Sequence, residues 1–227
     1  MSTGSARPAS TRRGDQQRRT PAGGEPRRLD TEARAGQLID VAKRLFAQRA
    51  YDEVKVEDVA TAAGVSEALV YHYFQTKREL YVAVIRAASK DMAAAVEPDP
   101  DLPAQERLHA AIDAYLRYVE SHAEGYRTLH EGGIGSDPEI RAIRRQANKR
   151  NVRRIVKAIA ADAKPPKSLE LAVRGWLGFM ESACLSWLDS RNVPREELRE
   201  IFAQVLVAAA LTAWPDDARP PEARITT

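Results

Sequence analysis

Three short apolar patterns in close succession organise the reading of this chain. In VKVEDVATAAGVSEALVYHYFQTKREL, residues 54–80, the apolar positions Val54, Val56, Val59, Ala60 and Ala63 recur at helical spacing. Gly64 follows where the chain must turn sharply, because a residue without a Cβ tolerates positive φ. Ser66 is placed to cap a second helix, with Val65 and Val70 at the spacing of a hydrophobic staple. At about 100° per residue, Val70 and Phe74 share the inner face of that helix. Ala68 and His72 lie opposite, with Leu69 and Tyr71 on the flanks. Thr76 and Glu79 then read as a capping box that opens a third helix. The local pattern predicts a helix-turn-helix, and its second helix shows solvent a face poor in the usual Lys and Glu.

Beyond residue 80 the pattern stays helical and shows no strand alternation. Residues 77–96 continue as a connecting helix up to Pro98 and Pro100. Leu108, Ala111, Ile112, Tyr115 and Val119 form the next apolar stripe. Ser121 and Glu124 are placed to cap a short helix carrying Tyr126, Leu129 and His130. Gly132, Gly133 and Gly135 break it, and Ser136 with Glu139 caps a long helix that Pro138 helps to start. Pro165 and Pro166 end that helix, a very apolar one follows over 169–188, and Pro194 opens the last, running to about residue 213. The predicted fold class is all-α. Residues 31–80 form a three-helix helix-turn-helix domain and residues 81–214 a C-terminal helical domain. Residues 1–30 and 215–227 are expected to be disordered tails.

The chemistry of the second short helix points to nucleic acid. Ala68 is small enough for close approach to a base pair, His72 and Tyr71 carry donors, and Leu69 fits a thymine methyl. Lys77 sits in the first turn of the following helix, beside backbone N–H groups that welcome phosphate. The stretches LIDVAKRLFAQRAYDEV, VEDVATAAGVS and LVYHYFQTKREL together resemble the DNA-binding domain of the TetR family of bacterial transcriptional regulators, over roughly residues 33–82. That resemblance puts Tyr71 and Lys77 at phosphate-contacting positions and Glu67, Ala68, Leu69 and His72 facing the bases. Ser66 joins the set at the helix start. Family members often open the second helix with Ser or Thr, whereas this chain has Val54 and Lys55. Capping is weakened there, and Lys55 offers a charged phosphate contact instead.

The resemblance also implies a function for the C-terminal helices. In this family the last two form a four-helix bundle with a second subunit. Here both are strongly apolar, around more than one face in residues 169–188, so Trp187, Leu188, Phe202, Val205, Leu206 and Ala209 are the expected dimer residues. A small-molecule pocket is expected among the middle helices. Tyr115, Tyr118, Tyr126, Trp176, Phe179 and Met180 are its candidate lining, with Glu181 or His122 as a polar anchor.

Composition narrows the setting. Cys184 is the lone cysteine, which excludes an internal disulfide and fits a reducing cytoplasm. The N-terminus lacks the apolar segment of a secretory signal, and Glu170, Arg174 and Glu181 interrupt the best membrane candidate. The net charge is +3, yet residues 1–30 hold seven Arg against three acids, so the basic excess lies in an Arg-rich tail suited to phosphates or a minor groove. His72, His109, His122 and His130 make no recognisable metal set with Cys184, and no nucleophile elbow or phosphate-binding loop appears. The expectation is a ligand-responsive homodimeric repressor on palindromic operator DNA, without catalytic activity, metal, cofactor or membrane partner. The competing expectation is a helical ligand-binding or enzymatic protein without operator recognition.

Overall fold

The structure is a computed structural model that describes residues 25–97, 99–131 and 133–215, together with Met1 and Ala218. Among these residues the regular elements are helices, as the pattern predicts. They are α1 (Glu25–Gln48), α2 (Val56–Ala63), α3 (Glu67–Tyr73), α4 (Lys77–Ala95), α5 (Ala104–Ser121), α6 (Ala123–His130), α7 (Pro138–Ala160), α8 (Lys167–Ser190) and α9 (Arg195–Ala213). Short 3-10 turns occupy Tyr51–Glu53 and Gly133–Ser136. Most of both expected tails, as well as Pro98 and Gly132, lies outside the described residues, and α1 begins inside the first tail, at Glu25.

The first core is built by α1 to α4. Leu38, Ala42 and Phe46 of α1 pack on Val54, Val59, Val70, Leu80 and Tyr81, all nearly inaccessible to water. Gly64 closes α2 at φ 67°, and its N–H reaches the carbonyls of Ala60 and Thr61. Ser66 caps α3 by accepting from the Leu69 N–H. Phe74, expected in the core, is only half-buried, because α3 ends at Tyr73 and the next residue turns to extended backbone. The weak start of α2 is repaired from within, since Asp58 accepts from the Lys55 N–H at 2.9 Å while pairing with Arg49 at 3.0 Å.

A second core lies between α5, α7, α8 and α9, centred on Leu116, Val152, Leu169, Val173, Cys184, Phe202 and Leu206. Trp176 Nε1 donates to the Phe202 carbonyl at 2.9 Å and ties α8 to α9. The two domains meet closely at several places, among them α1 with α6 and the first core with α7. Gly125 of α6 lies so close to α1 that a Cβ there would stand 2.9 Å from the Phe46 carbonyl oxygen. Ile140 of α7 is fully buried in the first core rather than the second.

Three capping expectations are corrected. Ser121 is the last residue of α5 and donates to the Tyr118 carbonyl, so α6 starts without a side-chain cap. Ser136 closes the 3-10 turn onto Gly133, and Asp137 caps α7 because it directly precedes Pro138 at the first helical position. Thr76 does accept from the Glu79 N–H, but Glu79 reaches back one residue further, to the Gln75 N–H at 2.8 Å.

Candidate nucleic-acid interface and ligand site

The turn after α2 and the capped start of α3 leave one face of α3 bare. Glu67, Ala68, Tyr71 and His72 are exposed, and Leu69 is partly covered. Tyr71 keeps 46% of its surface accessible, high for an aromatic residue. Lys55 is exposed in front of α2 and Ser66 is spent on its cap, although its residue remains at the surface. All of the sequence-predicted DNA residues except Lys77 therefore lie on the surface around α2 and α3.

Lys77 is held differently. Its ammonium lies 4.2 Å from the centre of the Tyr51 ring, a cation–π contact that directs it toward the same surface. Burial lowers its pKa, with Asp52 and Asp58 opposing. Tyr51 rests edge-on against Tyr81 at 4.9 Å, which in turn meets Phe46 at 4.9 Å, so an aromatic stack carries the lysine. Charge is scarce here. Residues 38–84 hold six Lys and Arg against seven Asp and Glu. Three of the six are engaged, Lys43 by Asp91, Arg49 by Asp58 and Arg78 by Asp137. That leaves Arg44, Lys55 and Lys77 without an ion pair among the described residues, so phosphate attraction depends on where these few cations stand.

The candidate ligand residues separate into four groups. Tyr115 and Tyr126 share a hydrogen bond of 2.8 Å between their hydroxyls, with burial raising both pKa values. Tyr126 stacks on His130 at 4.4 Å. Arg144 donates to His130 Nδ1 at 2.8 Å and lies 3.6 Å from Glu181, which also accepts from Asn148 at 3.2 Å. Burial, then Arg144, holds the His130 pKa down at about 3, so the imidazole is neutral and accepts at Nδ1. Beside them burial pushes the Cys184 thiol up to about 12. Tyr115, Tyr126 and Glu181 thus meet, joined by His130, Arg144, Asn148 and Cys184, which were not predicted. Tyr118 and His122 stack on each other at 4.1 Å in a separate place, where Tyr118 donates to the Ala88 carbonyl of α4. Trp176 and Met180 are core residues.

Phe179 stands apart from these groups. It is 39% exposed and points away from the polar cluster, with its ring edge-on to Phe202 at 5.6 Å. The expected dimer residues lie deeper. Trp187, Leu188, Phe202 and Leu206 are buried in the subunit's own core, and Val205 and Ala209 are partly buried. The exposed apolar residues of α8 and α9 are Leu171, Phe179 and Ile201, with Gly175, Gly178, Ser182 and Ala208 beside them on the same helical faces.

A groove of about 470 Å³ lies away from Tyr115 and Tyr126, between α1, α4 and α7. Among the described residues no His, Cys, Asp and Glu cluster has the makings of a metal site. No described helix is long and apolar enough to cross a membrane.

The geometry is matched by known proteins. Residues 38–84 fit the pattern of bacterial regulatory proteins of the tetR family, and residues 104–209 fit a tetracyclin repressor-like C-terminal domain. The crystal structure of a tetR-family transcriptional regulator from Streptomyces coelicolor superposes with a TM-score of 0.75 at 35% identity, over 80% of this chain and 82% of that one. The chain belongs to the TetR family of transcriptional regulators. Among curated relatives, the HTH-type transcriptional activator FasR of Mycolicibacterium smegmatis is 33% identical over 58% of this chain and 60% of its own length, so the chain spans about three-fifths of that relative. A FadR regulator from Bacillus subtilis, solved in complex with stearoyl-CoA, shares the fold at a TM-score of 0.60 and 17% identity, over 77% of this chain and 98% of that one.

Proposed function

We propose that this protein is a homodimeric, ligand-released repressor that reads an imperfect palindromic operator with α3. The observation that carries the reading is the exposed face of α3, where Ala68, Tyr71 and His72 stand clear of the core beside Lys77 on its aromatic support. A helix of this kind in a two-fold dimer enters successive major grooves, so the operator repeats across one helical turn of DNA or a multiple of it. Lys55, Tyr71 and Lys77 position the domain on phosphate, while Ala68, Leu69 and His72 meet base edges. The second subunit docks on the exposed face around Leu171, Phe179 and Ile201.

The effector enters between α5, α6, α7 and α8, at the cluster of Tyr115, Tyr126, Arg144 and Glu181. The side chains of the cluster are bonded to one another, so a ligand that binds there favours a different arrangement, and that differential affinity is what releases DNA. Its chemistry suits an apolar body with an acceptor for the tyrosine hydroxyls or an anionic group for Arg144. Stearoyl-CoA, bound by a regulator of the same fold, is a first probe.

The test is fluorescence anisotropy of the full-length protein with duplexes tiled over the DNA upstream of its own coding sequence, with a reporter for the sign of control. Sub-micromolar binding to one tile over a scrambled duplex, and a reporter silenced by the protein, are expected. No preference among tiles refutes operator recognition. A reporter that needs the protein for expression makes it an activator, as FasR is named.

A further inference from the structure

The first turn of α4 carries two consecutive cations with different partners. Lys77 lies over Tyr51 at the candidate DNA surface. Arg78 turns to the second domain. Its Nε donates to Asp137 Oδ2 at 2.7 Å and its Nη2 to Oδ1 at 2.9 Å, with a further bond to Glu139 at 3.2 Å. Such a bidentate pair fixes orientation as well as distance, because the planar guanidinium fork matches the carboxylate in one geometry.

Asp137 has a second task. Its Oδ1 caps α7 by accepting from the Glu139 and Ile140 N–H groups at 2.9 and 3.3 Å. Both cap bonds use Oδ1, and Oδ2 serves Arg78 alone. Three residues along, Ile140 is fully buried in the core of the helix-turn-helix domain. The start of α7 is therefore seated in the first domain and gripped to the one turn of α4 that also presents Lys77. Neighbouring Tyr51, which supports Lys77, is close enough for both Arg78 and Asp137 to influence its hydroxyl.

The geometry points to Asp137 as the positioning residue for the phosphate contact of Lys77. This rests on the DNA-binding reading above and adds the residue through which the second domain controls it. While Oδ2 holds Arg78, the first turn of α4 and the Tyr51 support keep one orientation. A shift of the start of α7 carries Arg78 with it, and Lys77 is displaced because it is the adjoining residue of the same turn.

Asp137→Ser separates the two tasks, since serine keeps a capping oxygen but offers Arg78 no carboxylate. Full-length wild type, Lys77→Ala, Asp137→Ser and the double variant are compared by anisotropy on the best upstream duplex and a scrambled one, each at two salt concentrations. Lys77→Ala is expected to weaken binding about tenfold and to lower the salt slope by about 2 for a dimer, roughly 0.9 per lost phosphate contact. Asp137→Ser is expected to weaken it about three- to tenfold with the same kind of fall in slope. The double variant is expected to bind no more weakly than Lys77→Ala, a non-additivity between two side chains that are not in contact. Arg78→Gln approaches the pair from the other side with the α7 cap intact, and is expected to match Asp137→Ser. Losses that multiply in the double variant, or an Asp137→Ser protein with the wild-type salt slope, overturn the proposal. If wild type binds no duplex, the DNA-binding reading falls and takes this one with it. If Lys77→Ala weakens binding while Asp137→Ser and Arg78→Gln do not, only the positioning role is lost.

Discussion

Replacing Phe179 by alanine separates the two readings of the last helices. Phe179 keeps 39% of its surface in water in the single subunit. For an aromatic side chain of about 200 Å², that is about 80 Å² available for burial against a partner. At about 25 cal/mol per Å², it contributes roughly 2 kcal/mol per subunit, and about 4 kcal/mol across a two-fold interface that uses it twice. The dimer dissociation constant should rise by up to about a thousandfold. The fold itself should lose little, chiefly the edge-on contact with Phe202, on the order of 1 kcal/mol. Leu206 is the control, because it is 4% exposed and belongs to the subunit core. Leu206→Ala should cost about 2–5 kcal/mol of subunit stability, seen in thermal unfolding. At temperatures where it remains folded, its association should change far less than that of Phe179→Ala. Sedimentation equilibrium between nanomolar and micromolar concentrations measures the association. A stable wild-type monomer at micromolar concentration, or an unchanged dissociation constant for Phe179→Ala, refutes this placement of the interface.

Other expectations follow from single positions. His72→Ala should alter preference among operator bases by about 1–3 kcal/mol at the contacted pair while sparing non-specific binding, as seen by titrating an operator and its point variants. Gly64→Ala places a Cβ at φ 67° and should lower the unfolding free energy by about 1–2 kcal/mol in denaturant titration. Gly125→Ala sets a Cβ 2.9 Å from the Phe46 carbonyl oxygen, and the separation of α6 from α1 should cost about 1–3 kcal/mol and raise amide exchange at the end of α1. His130 is neutral in the fold with a pKa near 3 against an ordinary 6.5, so the unfolded chain alone takes up its proton in that interval. Its contribution is therefore complete above pH 6.5 and falls as pH drops toward 3, by about 1.4 kcal/mol per unit, and a folded His130→Gln protein should lose this part of the pH dependence of unfolding.

The helix-turn-helix was legible because its signals are local. Gly64, Ser66 and the Val70 face act within a few residues of themselves, so sequence neighbours decide them, and the structure places each as the spacing predicts. Phe74 fails for an equally local reason, since α3 stops one residue before it. Ser136 has the capping-box spacing to Glu139, yet Asp137 is the cap because it adjoins Pro138 at the first helical position. The dimer face is less legible for a different reason. An apolar stripe marks what leaves water without saying whether it is covered by its own subunit or by another. Trp187, Phe202 and Leu206 satisfy both descriptions, and only the packing of α5 and α7 against them decides.

The polar cluster around Glu181 was the least legible, and the reason lies in α7. It carries eight Lys and Arg, and most are exposed. Yet Ile140, Arg144, Asn148 and Val152 recur at four-residue intervals, and the two apolar members are buried. Four-residue spacing keeps side chains on neighbouring parts of one face, so Arg144 and Asn148 are carried inward between two core residues. A buried polar side chain demands a partner, and Glu181 of α8, with His130 at the end of α6, supplies it. The interruption of an apolar stripe by Arg and Asn was thus a signal present in the sequence. It was hidden by the seven other cations of the helix, because a basic helix lowers the information carried by any one of its arginines. What spacing alone could not supply is that α6 and α8 approach from the same side, which is what turns an interrupted stripe into a hydrogen-bonded polar cluster.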